Sequence, residues 1–88
     1  MYDLETPPWE HGELPPDPDN CNDDRAKDAG LALSVFAKVQ GLPFEDAGDV
    51  NVALGDLLTN LRHLCDRYAQ SYEEIEARAG RRYAEEIA

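Results

Sequence analysis

The chain has 88 residues, of which 19 are Asp or Glu and eight are Lys or Arg, giving a formal net charge of −11 and a pI near 4.3. That length holds one small domain. The charge speaks against direct contact with a nucleic-acid backbone, because phosphate affinity comes from clustered Lys and Arg.

No apolar run approaches the roughly 18 residues a membrane-spanning helix needs, so no membrane partner is expected. The opening segment MYDLETPPWE has neither the basic nor the apolar region of a secretory leader. Two cysteines make no disulfide scaffold at this length. A cytoplasmic location is the resulting expectation.

The charge is unevenly placed. Residues 1–24 hold eight acids and no Lys or Arg, a net of −8, while residues 25–88 carry a net of −3. Five of the six prolines (Pro7, Pro8, Pro15, Pro16 and Pro18) also fall in that first quarter. Proline lacks a helix donor and biases its predecessor towards extended backbone. Like charges and few apolar residues further oppose packing. Residues 1–21 are therefore expected to form an extended, acidic, Pro-rich arm. A solvating leader has little use for Trp9, Tyr2 and Leu4. They favour an arm that docks, either on a partner or back on the domain's own core.

Residues 22–88 read as an all-α unit of three helices. The first spans about 23–40. Asn22, Asp23 and Asp24 suit a helix start, with acids at the positive end of the dipole. Ala26, Ala29, Leu33 and Phe36 form one apolar stripe, and Leu31, Val35 and Val39 an adjacent one. Gly41 and Pro43 fit a helix stop. Phe44 follows as a plug for one end of the core. The second helix spans about 50–69. Val50, Leu54, Leu57, Leu61, Leu64 and Tyr68 recur at steps of four and three, a heptad-like seam. Leu58 and Cys65 widen it, and Gly55 is read as the mark of a close helix crossing. Ser71 with Glu74 reads as a capping box opening the third helix, about 72–87. Its apolar face is Tyr72, Ile75, Ala79, Tyr83 and Ile87. So small a core is marginal alone. A homodimer through the first two helices is one way to cover the surplus apolar surface. An arm wrapped over the stripe is the other.

The residues that could carry chemistry are few. His11, Cys21, His63 and Cys65 lack the paired spacing of a zinc site. Cys65 is expected to be a core thiol and Cys21 an exposed one. No nucleophile elbow, phosphate loop or nucleotide fingerprint is present. No catalytic residue, metal or cofactor is expected. Asp46, Asp49 and Asp56 are the carboxylates that share a helical neighbourhood and could approach Mg2+.

Two resemblances bear on this. Leu54-Gly55-Asp56-Leu57-Leu58, followed by Arg78-Ala79-Gly80-Arg81-Arg82-Tyr83, resembles part of the MazG-type nucleotide pyrophosphohydrolases, over about 35 residues. That resemblance implies a Mg2+-dependent nucleotide hydrolase or its degenerate relative, with Asp49, Asp56 and Glu45 as ligands. The family places Glu where this chain has Ala53, and an E-E-x-x-E set where the first helix offers only Asp24 and Asp28. The C-terminal half is also similar to short uncharacterised helical proteins of actinobacteria and their phages. Those carry D-L-L-x-x-L-R-H, here Asp56, Leu57, Leu58, Leu61, Arg62 and His63. They then carry R-x-Y-x-x-E, here Arg81, Tyr83 and Glu86. This second likeness implies a fold rather than an activity.

The function expected from these features is a small acidic protein-interaction module, of the kind a phage or mobile element uses to inhibit a host protein. Two mechanisms fit the arm. In nucleic-acid mimicry its carboxylates stand in for phosphates on a basic surface; in groove docking its tryptophan and prolines insert into an apolar cleft. The expected contacts are Trp9, Glu10, Glu13, Asp17 and Asp19. The alternatives are the degenerate hydrolase and a structural or regulatory helical homodimer.

Overall fold

The computed structural model describes residues 14–88. Three helices follow one another: α1 (Cys21–Gln40), α2 (Ala47–Arg67) and α3 (Tyr72–Glu86). There is no strand among the described residues. The all-α, three-helix reading is the architecture found. The starts of all three helices, and the ends of α1 and α2, have identifiable local causes.

The start of α1 is capped from a distance. Asn20 precedes it with left-handed backbone, φ 58°, and its own side chain makes no cap. Asp17 does this instead. One carboxylate oxygen accepts from the Asn22 N–H at 3.1 Å and the other from the Asp23 N–H at 2.9 Å. A negative charge on two free donors of the first turn suits both hydrogen bonding and the helix dipole. Lys27 pairs with Asp23 one turn away at 2.9 Å. At the other end Gly41 takes left-handed backbone, φ 69°, and its N–H reaches the carbonyls of Ala37 and Lys38. The Leu42 N–H bonds to the Ala37 carbonyl at 2.8 Å. This is the glycine-terminated stop anticipated from the sequence, with Leu42 tucked against the core.

α2 starts earlier than the sequence suggests, at Ala47 rather than near Val50. The cause is a pair of reciprocal caps. The Asp46 carboxylate accepts from the Asp49 N–H at 2.9 Å, and the Asp49 carboxylate accepts from the Glu45 N–H at 2.9 Å. Together they satisfy the N–H of Asp49 in the first turn and that of Glu45 just before the helix. α2 ends at Arg67, two residues early. Ala69 has φ 54°, and the Gln70 N–H bonds to the Cys65 carbonyl at 2.9 Å. An alanine thus occupies the left-handed position that usually falls to glycine, at a cost of about 1 kcal/mol. Ser71 then caps α3, accepting from the Glu74 N–H at 3.2 Å. The S-x-x-E signature marks that start.

The core lies where α1 crosses α2. Leu33, Ala37 and Ala53 are buried there, and Phe36, Leu42, Phe44, Val50 and Leu57 pack around them. Two alanines at the crossing let the backbones approach. Gly55 does not serve that purpose: a Cβ built on it meets nothing within 4 Å. It sits in open space, so its expected role as a crossing marker is corrected. α3 joins α2 through the short turn at 68–71, where the Arg62 guanidinium stacks over the Tyr72 ring, 4.2 Å from its centre. Arg62 also reaches the Glu73 carboxylate at 3.4 Å. α3 meets α1 at the far end. There Asn22 Nδ2 donates to the Glu86 carbonyl at 2.9 Å, and Arg25 Nε pairs with Glu86 Oε2 at 2.6 Å. The helices therefore touch at three corners.

Candidate interaction surface

Of the five residues expected to contact a partner, Trp9, Glu10 and Glu13 lie outside the described residues. Asp17 and Asp19 are within them, and the structure separates the two. Asp17 is half-buried and both its carboxylate oxygens are engaged in capping α1. Asp19 is exposed, with its backbone carbonyl facing the Cys21 thiol at 3.8 Å. The last residues of the expected arm are thus tied to the helix they precede. The clue lay in the spacing: an aspartate five and six positions before the first free helix donors, followed by Pro18 and Asn20.

Next to this junction, α1 and α3 leave an open cavity of about 430 Å3. Leu14, Pro15, Ala26, Tyr83 and Ile87 give it a mainly apolar wall, with Arg25 at its edge. Leu14, where the description begins, is 91 % exposed. On the outer side of α3, Arg78, Arg81 and Arg82 form a shallow basic groove with Glu85.

The carboxylates suggested as Mg2+ ligands are placed differently from a metal centre. Asp49 and Asp46 cap α2, while Glu45 and Asp56 are exposed. No group of three or more His, Cys, Asp or Glu that could hold a metal ion occurs among the described residues. Ala53, where the pyrophosphohydrolases carry a Glu, is 0 % exposed beneath α1. A carboxylate there would be buried in an apolar contact with no partner. His63 is exposed. Cys21 is exposed, Cys65 is half-buried, and both are free thiols.

The apolar surface is the larger feature. Leu31, Val35 and Val39 line the side of α1 that points away from α2, being two residues, or about 200° of helical turn, from Leu33 and Ala37. On α2, Leu54, Leu58 and Leu64 are also exposed, as is Tyr68 just after its end. Ala26, Ala29 and Ala79, expected to be core positions, are exposed as well, because α3 does not close against α1 along its length. No helix is long and apolar enough to cross a membrane among the described residues, so these faces are not membrane spans. Comparison of the chain with protein families, with curated proteins and with solved structures returned no match.

Proposed function

We propose that this chain is a small acidic protein-interaction module that captures a protein partner through its N-terminal arm. The observation that carries the reading is the segregation of charge. The first 24 residues hold eight acids, no Lys or Arg, and the chain's one tryptophan. They are joined to a helical frame that is close to neutral. A partner with a basic or aromatic-lined surface is complementary to such a segment.

The contacts are Trp9, Glu10, Glu13 and Asp19. Asp17 anchors the arm to α1 instead. Inhibition of a host protein by a phage or mobile element is the biological setting this design fits, within a reducing cytoplasm that keeps Cys21 and Cys65 as thiols.

The test compares the full chain with its Trp9→Ala/Glu10→Gln/Glu13→Gln variant as bait in a lysate of the source organism, at low and high salt. A partner retained by the wild type and lost by the variant and by salt supports the reading. A partner held equally by both baits at high salt removes the arm from the binding site.

A further inference from the structure

The cavity between α1 and α3 has an apolar wall of Leu14, Pro15, Ala26, Tyr83 and Ile87. Its volume, about 430 Å3, falls within the range of about 300–1,000 Å3 typical of ligand pockets. The charged groups on its rim are already engaged inside the chain. Asp17 caps α1, Asp23 pairs with Lys27, and Arg25 pairs with Glu86. An incoming ion finds little to hold it. An uncharged aromatic group finds apolar carbon on α1, on α3 and on the segment that leads into α1. Tyr83 is 48 % exposed and Leu14 91 %, so both have surface to give to such a group.

We propose that in the free protein this cavity seats the chain's own Trp9, with Asp3 and Glu5 carried across α3 to Arg78, Arg81 and Arg82. Three observations select this occupant. First, Leu14 and Pro15 belong to the wall, so the residues ahead of them leave from the cavity's own edge. Trp9 lies five positions before Leu14, at most about 17 Å of chain, and Gly12 between them permits a reversal of direction. Such a tether holds the indole at an effective concentration of about millimolar. Second, the charges are complementary. Arg78, Arg81 and Arg82 share a groove with Glu85 and make no ion pair among the described residues. Residues 1–13 supply Asp3, Glu5, Glu10 and Glu13 and no Lys or Arg. A helix is about 10–12 Å thick, and the four residues from Trp9 back to Glu5 span about 13 Å, enough to pass over α3. Third, Pro7 and Pro8 directly precede Trp9. Their fixed φ reduces the chain entropy lost when the indole docks.

The inference concerns the chain alone, so it stands or falls separately from the arm's capture of a partner; a partner that takes Trp9 must lift it from this seat. Because Trp9 is the one tryptophan, the intrinsic fluorescence of the full-length protein reports on it directly. Its emission should lie to the blue of the urea-unfolded chain at every protein concentration, and acrylamide should quench it severalfold less. Ile87→Asp, at the cavity wall and outside the α1–α2 core, should move the emission to the unfolded position while helical circular dichroism persists. Arg78→Gln/Arg81→Gln/Arg82→Gln should raise quenching by acrylamide in low salt. A second measurement leaves the cavity unaltered. In the Cys65→Ser chain, a nitroxide on Cys21, which borders the same junction beside Arg25 and Glu86, should quench Trp9 strongly. Native emission as red as that of the unfolded chain overturns the proposal. So does a blue shift that survives Ile87→Asp, or one that grows with protein concentration, since the indole would then be buried elsewhere or by a second copy. If Ile87→Asp unfolds the chain, the nitroxide decides, and an unquenched Trp9 overturns the assignment. An arginine variant quenched no more than the wild type overturns the crossing of α3.

Discussion

The corner where α1 meets α2 and the corner where α1 meets α3 are held by opposite kinds of interaction. The first is apolar and sealed: Leu33, Ala37 and Ala53 are removed from water, with Phe36, Phe44 and Leu57 around them. The second is polar and open: a side-chain hydrogen bond from Asn22 and an ion pair from Arg25 both end on Glu86, beside an open cavity. Apolar burial contributes about 25 cal/mol per Å2, whereas an exposed ion pair contributes about 1 kcal/mol or less. One corner thus carries the stability, and the other sets where α3 lies. In so small a chain, helices of similar length can differ widely in how firmly they are held.

Substitutions at the corners sharpen that contrast. The largest effect is expected from Ala53→Glu, which places a charge under α1 with no partner. It should cost about 3 kcal/mol or more, enough to abolish cooperative unfolding in a domain this small. Retained helical signal and an unchanged urea midpoint would mean the sealed corner is not the core. An intermediate effect belongs to the α2–α3 turn. Ala69→Gly relieves the left-handed alanine and should raise stability by about 1 kcal/mol, read as a higher urea midpoint at constant slope. The smallest belongs to the polar corner. Arg25 is 54 % exposed and Glu86 24 %, so Arg25→Ala should lower global stability by at most about 1 kcal/mol and less in high salt. Its clearer signature is local: amide hydrogens in the last turns of α3 should exchange faster, while those of Leu33 and Ala53 stay protected. Equal loss of protection at both corners would show that the three helices unfold as one unit.

Much of this fold is readable in the sequence because it is written in local chemistry. Gly41 before Pro43, and Ser71 before Glu74, end and begin helices through backbone groups a few residues away. The early start of α2 is hidden in the sequence because it depends on the Asp46 carboxylate taking the Asp49 N–H and the Asp49 carboxylate taking the Glu45 N–H across Gly48. The exposure of Ala26, Ala29 and Ala79 was not legible. A helical stripe shows that a face is apolar but not whether the same chain covers it. The same limit applies to the α2 seam. Its period is visible in Leu54, Leu57, Leu61 and Leu64, yet only the fold shows that Leu57 packs at the α1 contact while Leu54 and Leu64 stay exposed. In the candidate site, the charge of the arm is plain from composition. The distinct fate of Asp17 is not, because a helix cap and a partner contact require the same carboxylate.

That carboxylate links two events that would otherwise be independent. Asp17 holds the Asn22 and Asp23 N–H groups, so any ligand that withdraws it leaves the first turn of α1 without its cap. The ligand's affinity is then reduced by the free energy of fraying that turn. By reciprocity, whatever steadies the beginning of α1 strengthens the hold of the cap against such a ligand. The junction works as a strain gauge between tail and frame. A partner confined to the first thirteen residues leaves the gauge at rest, whereas one reaching four residues further registers in the helix.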